Sequence, residues 1–129
     1  MRGGTELGRV RGLGSARRGA KAFLVQRGTA FAQLFLMPWL LASLVLRPSV
    51  DHKAVTEWLG SPVNAVLLML LVVSVFTHLR LGLKELVEDY VHDEPLKIAS
   101  LLIVNAYAIA GGALALFSIL RIALSGSAA

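Results

Sequence analysis

One histidine in this sequence stands where a histidine is costly. His78 closes an apolar run, PVNAVLLMLLVVSVFTH, that begins at Pro62. An ionisable side chain within a membrane-length helix is retained where it is paired, liganded or facing a cavity. A neutral imidazole suits axial ligation of a haem iron. It can equally bond a carbonyl of a neighbouring helix near the interface, or serve proton transfer or a quinone. Gly82 follows one helical turn later on the same face, without the side chain that would hold a flat macrocycle away. Ser74 precedes His78 by one turn and either faces the same cavity or bonds back to its own preceding turn.

Asp89 and Tyr90 form a second constellation. Asp89 lies eleven residues after His78, so the two share a face if the helix continues, about 16 Å apart. That is too far for a hydrogen bond and close enough to serve adjacent sites. A tyrosine hydroxyl near the interface can donate to a quinone carbonyl, and Asp89 can orient such a partner or bind an arginine. The plainer alternative is an interfacial tyrosine beside a loop-edge aspartate. Gln26 and Arg27 open the first apolar segment on the same side of the membrane. Arg27 suits a haem propionate, Asp89 or a lipid phosphate reached by snorkelling. Asn105 and Tyr107 read as helix contacts. Glu85, Glu88, Asp89, Asp93 and Glu94 have no metal-ligand spacing and read as a solvated face or a patch that docks a basic partner. His52 and His92 read as solvated loop residues.

The elements that must carry these residues follow from composition. Of 129 residues, 56% are hydrophobic and 16% charged, against about 25% charged in an ordinary soluble domain. The charges are clustered, which points to one lipid-embedded domain. The net charge is +5, but seven of the thirteen basic residues (Arg2, Arg9, Arg11, Arg17, Arg18, Lys21 and Arg27) precede the first long apolar run, opposed only by Glu6. The aromatics do not interleave with them, so a nucleic-acid surface is excluded in favour of a basic flank beside membrane helices. The chain has no cysteine, which excludes disulfides and thiolate-held metals within it.

The chain divides into a basic N-terminal tail over 1–21, a membrane domain over 22–122 and a short C-terminal tail over 123–129. The tail reads as a disordered or interfacial segment; being arginine-rich and acid-poor it leaves a mitochondrial targeting peptide as an alternative, although it lacks a convincing amphipathic helix. Three apolar segments, about 23–46, 62–84 and 96–120, are each long enough to cross a hydrocarbon core of about 30 Å. Pro38 lies inside the first and is expected to bend it. Trp39 is deep for an interfacial anchor and is expected to face a partner. Residues 47–61 read as a polar loop holding a short interfacial helix over 55–59, with Trp58 at headgroup level. Ser61 and Pro62 read as N-cap and first residue of the second span, and Pro95 is expected to start the third after Asp93 or Glu94. Gly111 and Gly112 make a smooth strip for close helix packing. The Lys and Arg counts place the N-terminus on the cytoplasmic side and the C-terminus on the periplasmic side. The reading is an all-α membrane protein of three transmembrane helices, which belongs in a larger assembly rather than acting as a complete enzyme.

HLRLGLKELVEDY resembles the His-x3-Gly-x6-Asp-Tyr motif of the D-type hydrophobic membrane anchor of succinate dehydrogenase, respiratory complex II, with His78, Gly82, Asp89 and Tyr90 in its positions. FLVQRGTAFAQL, from Phe23 to Leu34, resembles the segment leading into that family's first helix, with Arg27 and Thr29 in the usual places. Leu83-Lys84-Glu85 after the glycine differs from the Arg-His pair of the C-type anchor, which favours the D type. The resemblance implies half of a heterodimeric anchor bundle, paired with a C-type anchor and holding an iron-sulfur subunit and a flavoprotein subunit against the membrane. It implies haem b shared with the partner anchor and His78 as its axial iron ligand, with Arg27 and Gly82 in the matching segments; Ser74, by its spacing, is the further residue read as facing the cofactor. Tyr90 and Asp89 would contact the quinone, ubiquinone or menaquinone. FAD and iron-sulfur clusters would reside in partner subunits, which also carry succinate oxidation, making this chain non-catalytic. A bacterial inner membrane is favoured over a mitochondrial one. The alternatives are the related anchor of a fumarate reductase and a small structural or assembly membrane protein without a cofactor.

Overall fold

The computed structural model describes Thr5 and residues 18–127. Most of the basic tail, with Arg2, Arg9, Arg11 and Arg17, lies outside the described residues. Four helices follow: α1 (Arg18–Val45), α2 (His52–Leu59), α3 (Pro62–Tyr90) and α4 (Glu94–Ser127). Three of them, over Gly19–Val45, Pro62–Tyr90 and Glu94–Ser125, are long and apolar enough to cross a membrane. The fold is all-α with three transmembrane helices.

Each helix end has a local cause. Helix α1 runs unbroken through Pro38, whose missing N–H a membrane helix tolerates. Asp51 starts α2: its carboxylate accepts from the Ala54 N–H at 2.8 Å, one of the donors a helix start leaves free. Ser61 occupies the N-cap of α3 in extended conformation with Pro62 behind it, but its hydroxyl makes no capping bond. The proline removes one of the N–H groups that would otherwise need a partner. Helix α3 does not stop at the polar boundary near Lys84. Lys84-Glu85-Leu86 are good helix formers, and Lys84 Nζ lies 3.7 Å from Glu88 Oε1 on the next turn. The helix therefore reaches Tyr90, and His78, Gly82, Asp89 and Tyr90 share one continuous element. Pro95 then sits in the first turn of α4, where its missing N–H is one that a helix start leaves unpaired anyway. Asp93 manages that start: its carboxylate accepts from Leu96 N–H at 3.1 Å and its carbonyl from Lys97 N–H at 2.8 Å. At the far end α4 continues to Ser127, beyond the expected end of the third span.

Helix α3 is the middle of the molecule. It packs against α1 on one side and α4 on the other, while α1 and α4 do not approach each other. Phe76 of α3 seats its ring on the glycine pair of α4. A Cβ built at Gly111 would come within 2.8 Å of the ring, so close approach requires glycine there. Tyr107 flanks the same ring at 6.5 Å between centroids, and Asn105 accepts a hydrogen bond from Arg80 Nε across the α3–α4 seam.

The buried core sits at the opposite end from His78. Trp58, Leu59, Ala65 and Ile119 are its buried members, joined by Trp39, Leu68 and Val72 among others. Trp58 is not free at headgroup level: it is buried and stacks on Trp39 with centroids 5.6 Å apart and planes at 28°. Trp39 thus faces a partner within its own chain. The short helix is turned inward as a plug between α1, α3 and α4, and Arg47 bonds it through the Ala54 carbonyl at 2.7 Å. By contrast, the most apolar window of α1 is 0% buried, that of α3 11% and that of α4 17%. A row of three helices leaves its broad faces to lipid or to other helices.

Candidate functional site

The α1–α3 seam holds a cluster of polar residues. On α1, Ala22, Gln26, Thr29 and Gln33 recur at helical spacing and form one face. On α3, Ser74, His78, Leu81 and Glu85 do the same. Where the faces meet, Ser74 is buried at 5% exposure, and its hydroxyl donates to the Thr29 carbonyl at 2.9 Å. That bond ties α1 to α3 one turn from the histidine. Gln33 Nε2 approaches the Ser74 carbonyl at 3.5 Å, a weak second tie. Thr29 Oγ1 lies 3.1 Å from His78 Nδ1.

Toward the N-terminal end of α1 the helices part and leave a cleft of about 720 Å³, lined by Phe23, Gln26 and Arg27 of α1 and by His78, Glu85 and Glu88 of α3, among others. His78 is half-buried in its wall. Gly82 adds room nearby: a Cβ there would meet only Gln26 Nε2, at 3.9 Å. Gln26 Oε1 is buried with no hydrogen-bond partner among the described residues, so this wall presents an acceptor still to be satisfied. The Arg27 guanidinium lies 5.1 Å from the centre of the Phe23 ring. Among the described residues it makes no ion pair with Asp89. One face of the cleft thus carries His78 with Lys84, Glu85 and Glu88, and the other Phe23, Gln26 and Arg27. Of these, His78 could ligate an iron-bearing group and Arg27 could pair with its anionic edge, while Glu85 and Glu88 oppose negative charge in the same cleft.

Asp89 and Tyr90 are placed differently. They are the last two residues of α3 and both are exposed, Tyr90 at 75%, outside the cleft lining. His52 begins α2 and His92 lies between α3 and α4, both exposed. Among the described residues no group of three or more His, Asp or Glu side chains is arranged to hold a metal ion; a single axial ligand needs no such group. Sequence reasoning placed Thr29 only by resemblance and gave it no contact. Its position against His78 depends on which faces of two helices meet, and no local pattern states that.

The model of the succinate dehydrogenase/fumarate reductase transmembrane subunit family matches residues 1–117. The chain belongs to that family. Among curated relatives, the succinate dehydrogenase hydrophobic membrane anchor subunit of Rickettsia bellii is 27% identical over 104 residues, covering 81% of this chain and 83% of the relative. The corresponding protein of Rickettsia conorii is 29% identical over 105 residues, with 81% and 83% covered. No solved structure gives a significant match. The family is one of transmembrane subunits, and the three spans of this member make it a multi-pass membrane protein.

Proposed function

We propose that this chain is a D-type, non-catalytic membrane anchor of a bacterial succinate:quinone oxidoreductase. It helps hold haem b and helps form the quinone-reduction site. The observation that carries the reading is His78 in the wall of the α1–α3 cleft, in a chain whose family anchors such complexes. His78 would hold the haem iron as one axial ligand, Arg27 would face a propionate, and Gly82 would admit the ring edge. Bound there, the haem supplies a one-electron relay. A lone histidine on each of two anchors would complete the axial pair, which supports half of a heterodimeric bundle. The broad exposed face of α1 supports the same pairing.

At the membrane surface, the Tyr90 hydroxyl would donate to a quinone carbonyl, with Asp89 beside it. Their exposure in this chain supports a site closed by partner proteins: a C-type anchor, and the iron-sulfur subunit that would pass on electrons from the flavoprotein. Seven of the thirteen basic residues precede the first long apolar run, which supports a cytoplasmic N-terminus and a periplasmic C-terminus in the inner membrane. On this reading Tyr90→Phe lowers quinone reductase activity of the purified complex by about tenfold or more, the cost of about 1.4 kcal/mol of lost hydrogen bonding. Succinate oxidation by an artificial acceptor that bypasses the quinone stays unchanged. Equal quinone kinetics in the variant and the parent would remove Tyr90 from the site.

A further inference from the structure

Thr29 has one hydroxyl proton and three neighbours. Its Oγ1 lies 2.9 Å from the carbonyl oxygens of both Val25 and Gln26 and 3.1 Å from His78 Nδ1. Two backbone acceptors at 2.9 Å stand against one ring nitrogen at 3.1 Å, so the hydroxyl proton is assigned to the backbone pair as a three-centre bond. What Oγ1 offers the histidine is a lone pair. In that assignment Nδ1 carries the imidazole proton and donates it to Thr29, and Nε2 keeps a bare lone pair. Among the described residues no side chain or backbone group is bonded to Nε2. A neutral imidazole in this tautomer is the form that ligates a metal through Nε2. Ser74, buried on α3, in turn holds the Thr29 carbonyl at 2.9 Å. The residue that sets the tautomer is thereby fastened to the helix that bears the histidine.

We propose that Thr29 is a positioning residue for the haem ligand: it fixes the tautomer and ring orientation of His78, and Ser74 keeps Thr29 in register. The proposal rests on the haem reading of His78 and extends it across the seam to α1. A hydrogen bond from Nδ1–H strengthens the imidazole as a donor and favours ferric over ferrous iron. Loss of that acceptor therefore raises the midpoint potential.

The test uses the complex purified with its partner subunits, carrying Thr29→Val or Thr29→Ser. Valine keeps the shape and removes the acceptor; serine restores it. Redox titration of the haem and its low-spin electron paramagnetic resonance spectrum are the readouts. A tenfold loss of ferric over ferrous ligation corresponds to a rise of about 59 mV for a one-electron couple. Such a rise in the valine variant, with the parent value regained in the serine variant, is the expected result. A parent-like potential in Thr29→Val, or a serine variant that behaves as valine, overturns the proposal while leaving His78 as ligand. A His78→Ala complex that keeps the parent haem spectrum overturns both. A readout independent of assembly is the ¹⁵N shift of His78 in the full chain in lipid. A proton on Nδ1 supports the proposal, and a proton on Nε2 overturns it.

Discussion

Replacing His78 with alanine is expected to abolish the low-spin b-type spectrum of the purified complex. The reason is coordination number. A haem held by two imidazoles is six-coordinate, and removal of either leaves a five-coordinate iron or an empty pocket. Among the described residues no other side chain is placed to substitute: Ser74 is committed to the Thr29 carbonyl, and His78 is the one histidine in the cleft lining. The reduced-minus-oxidised spectrum is the measurement, with haem content determined on the same sample. His92→Ala is the control, since His92 is exposed in the connection between α3 and α4, and its spectrum is expected to match the parent. An unchanged spectrum in the His78 variant would return the histidine to an interfacial role and favour an anchor whose haem, if present, is ligated elsewhere.

The second large effect is on stability and lies at the other end of the molecule. Trp58→Ala is expected to cost about 3–5 kcal/mol, the range for deleting a large aromatic side chain from a packed interior. Trp58 is 8% exposed and is the largest buried side chain of the plug. Its loss removes the stack on Trp39 and leaves a void against Leu59, Ala65 and Ile119. The Trp39–Trp58 stack contributes only about 0.5–1.5 kcal/mol of this, as aromatic pairs do beyond their burial. The double variant with Trp39→Ala should therefore fall short of the sum of the singles by that amount. Detergent unfolding of the full chain, followed by tryptophan-independent circular dichroism, gives both numbers. A cost below about 1 kcal/mol for Trp58→Ala would mean that α2 lies loosely on the membrane surface.

The two ends of the molecule are unequally legible in the sequence. The three spans are plain, because runs of apolar residues long enough to cross a bilayer leave few other folds. The restart at Pro95 is also plain, because proline suits the first turn of a helix through its backbone alone. The continuation of α3 from Lys84 to Tyr90 is harder to read: a polar composition marks where lipid ends, not where a helix ends. Trp58 misleads for a related reason. A tryptophan near a membrane surface suits the headgroup layer and a protein contact equally, and only Trp39, nineteen residues away in sequence, decides between them. At the candidate site, His78, Ser74 and Gly82 are marked by their spacing on one helix. Thr29 and the Gln26 amide are not, because their importance comes from the meeting of α1 and α3. Asp89 and Tyr90 stand out by motif, and their exposure in this chain leaves the remaining walls of their proposed site to other subunits.

An anchor has no activity of its own to assay, so its partners are the most direct test. Affinity purification of this chain from detergent-solubilised membranes of its own bacterium should bring down a flavoprotein and an iron-sulfur protein, together with succinate:quinone reductase activity. Recovery of the chain under mild detergent without flavin, iron-sulfur centres or that activity would contradict the anchor role.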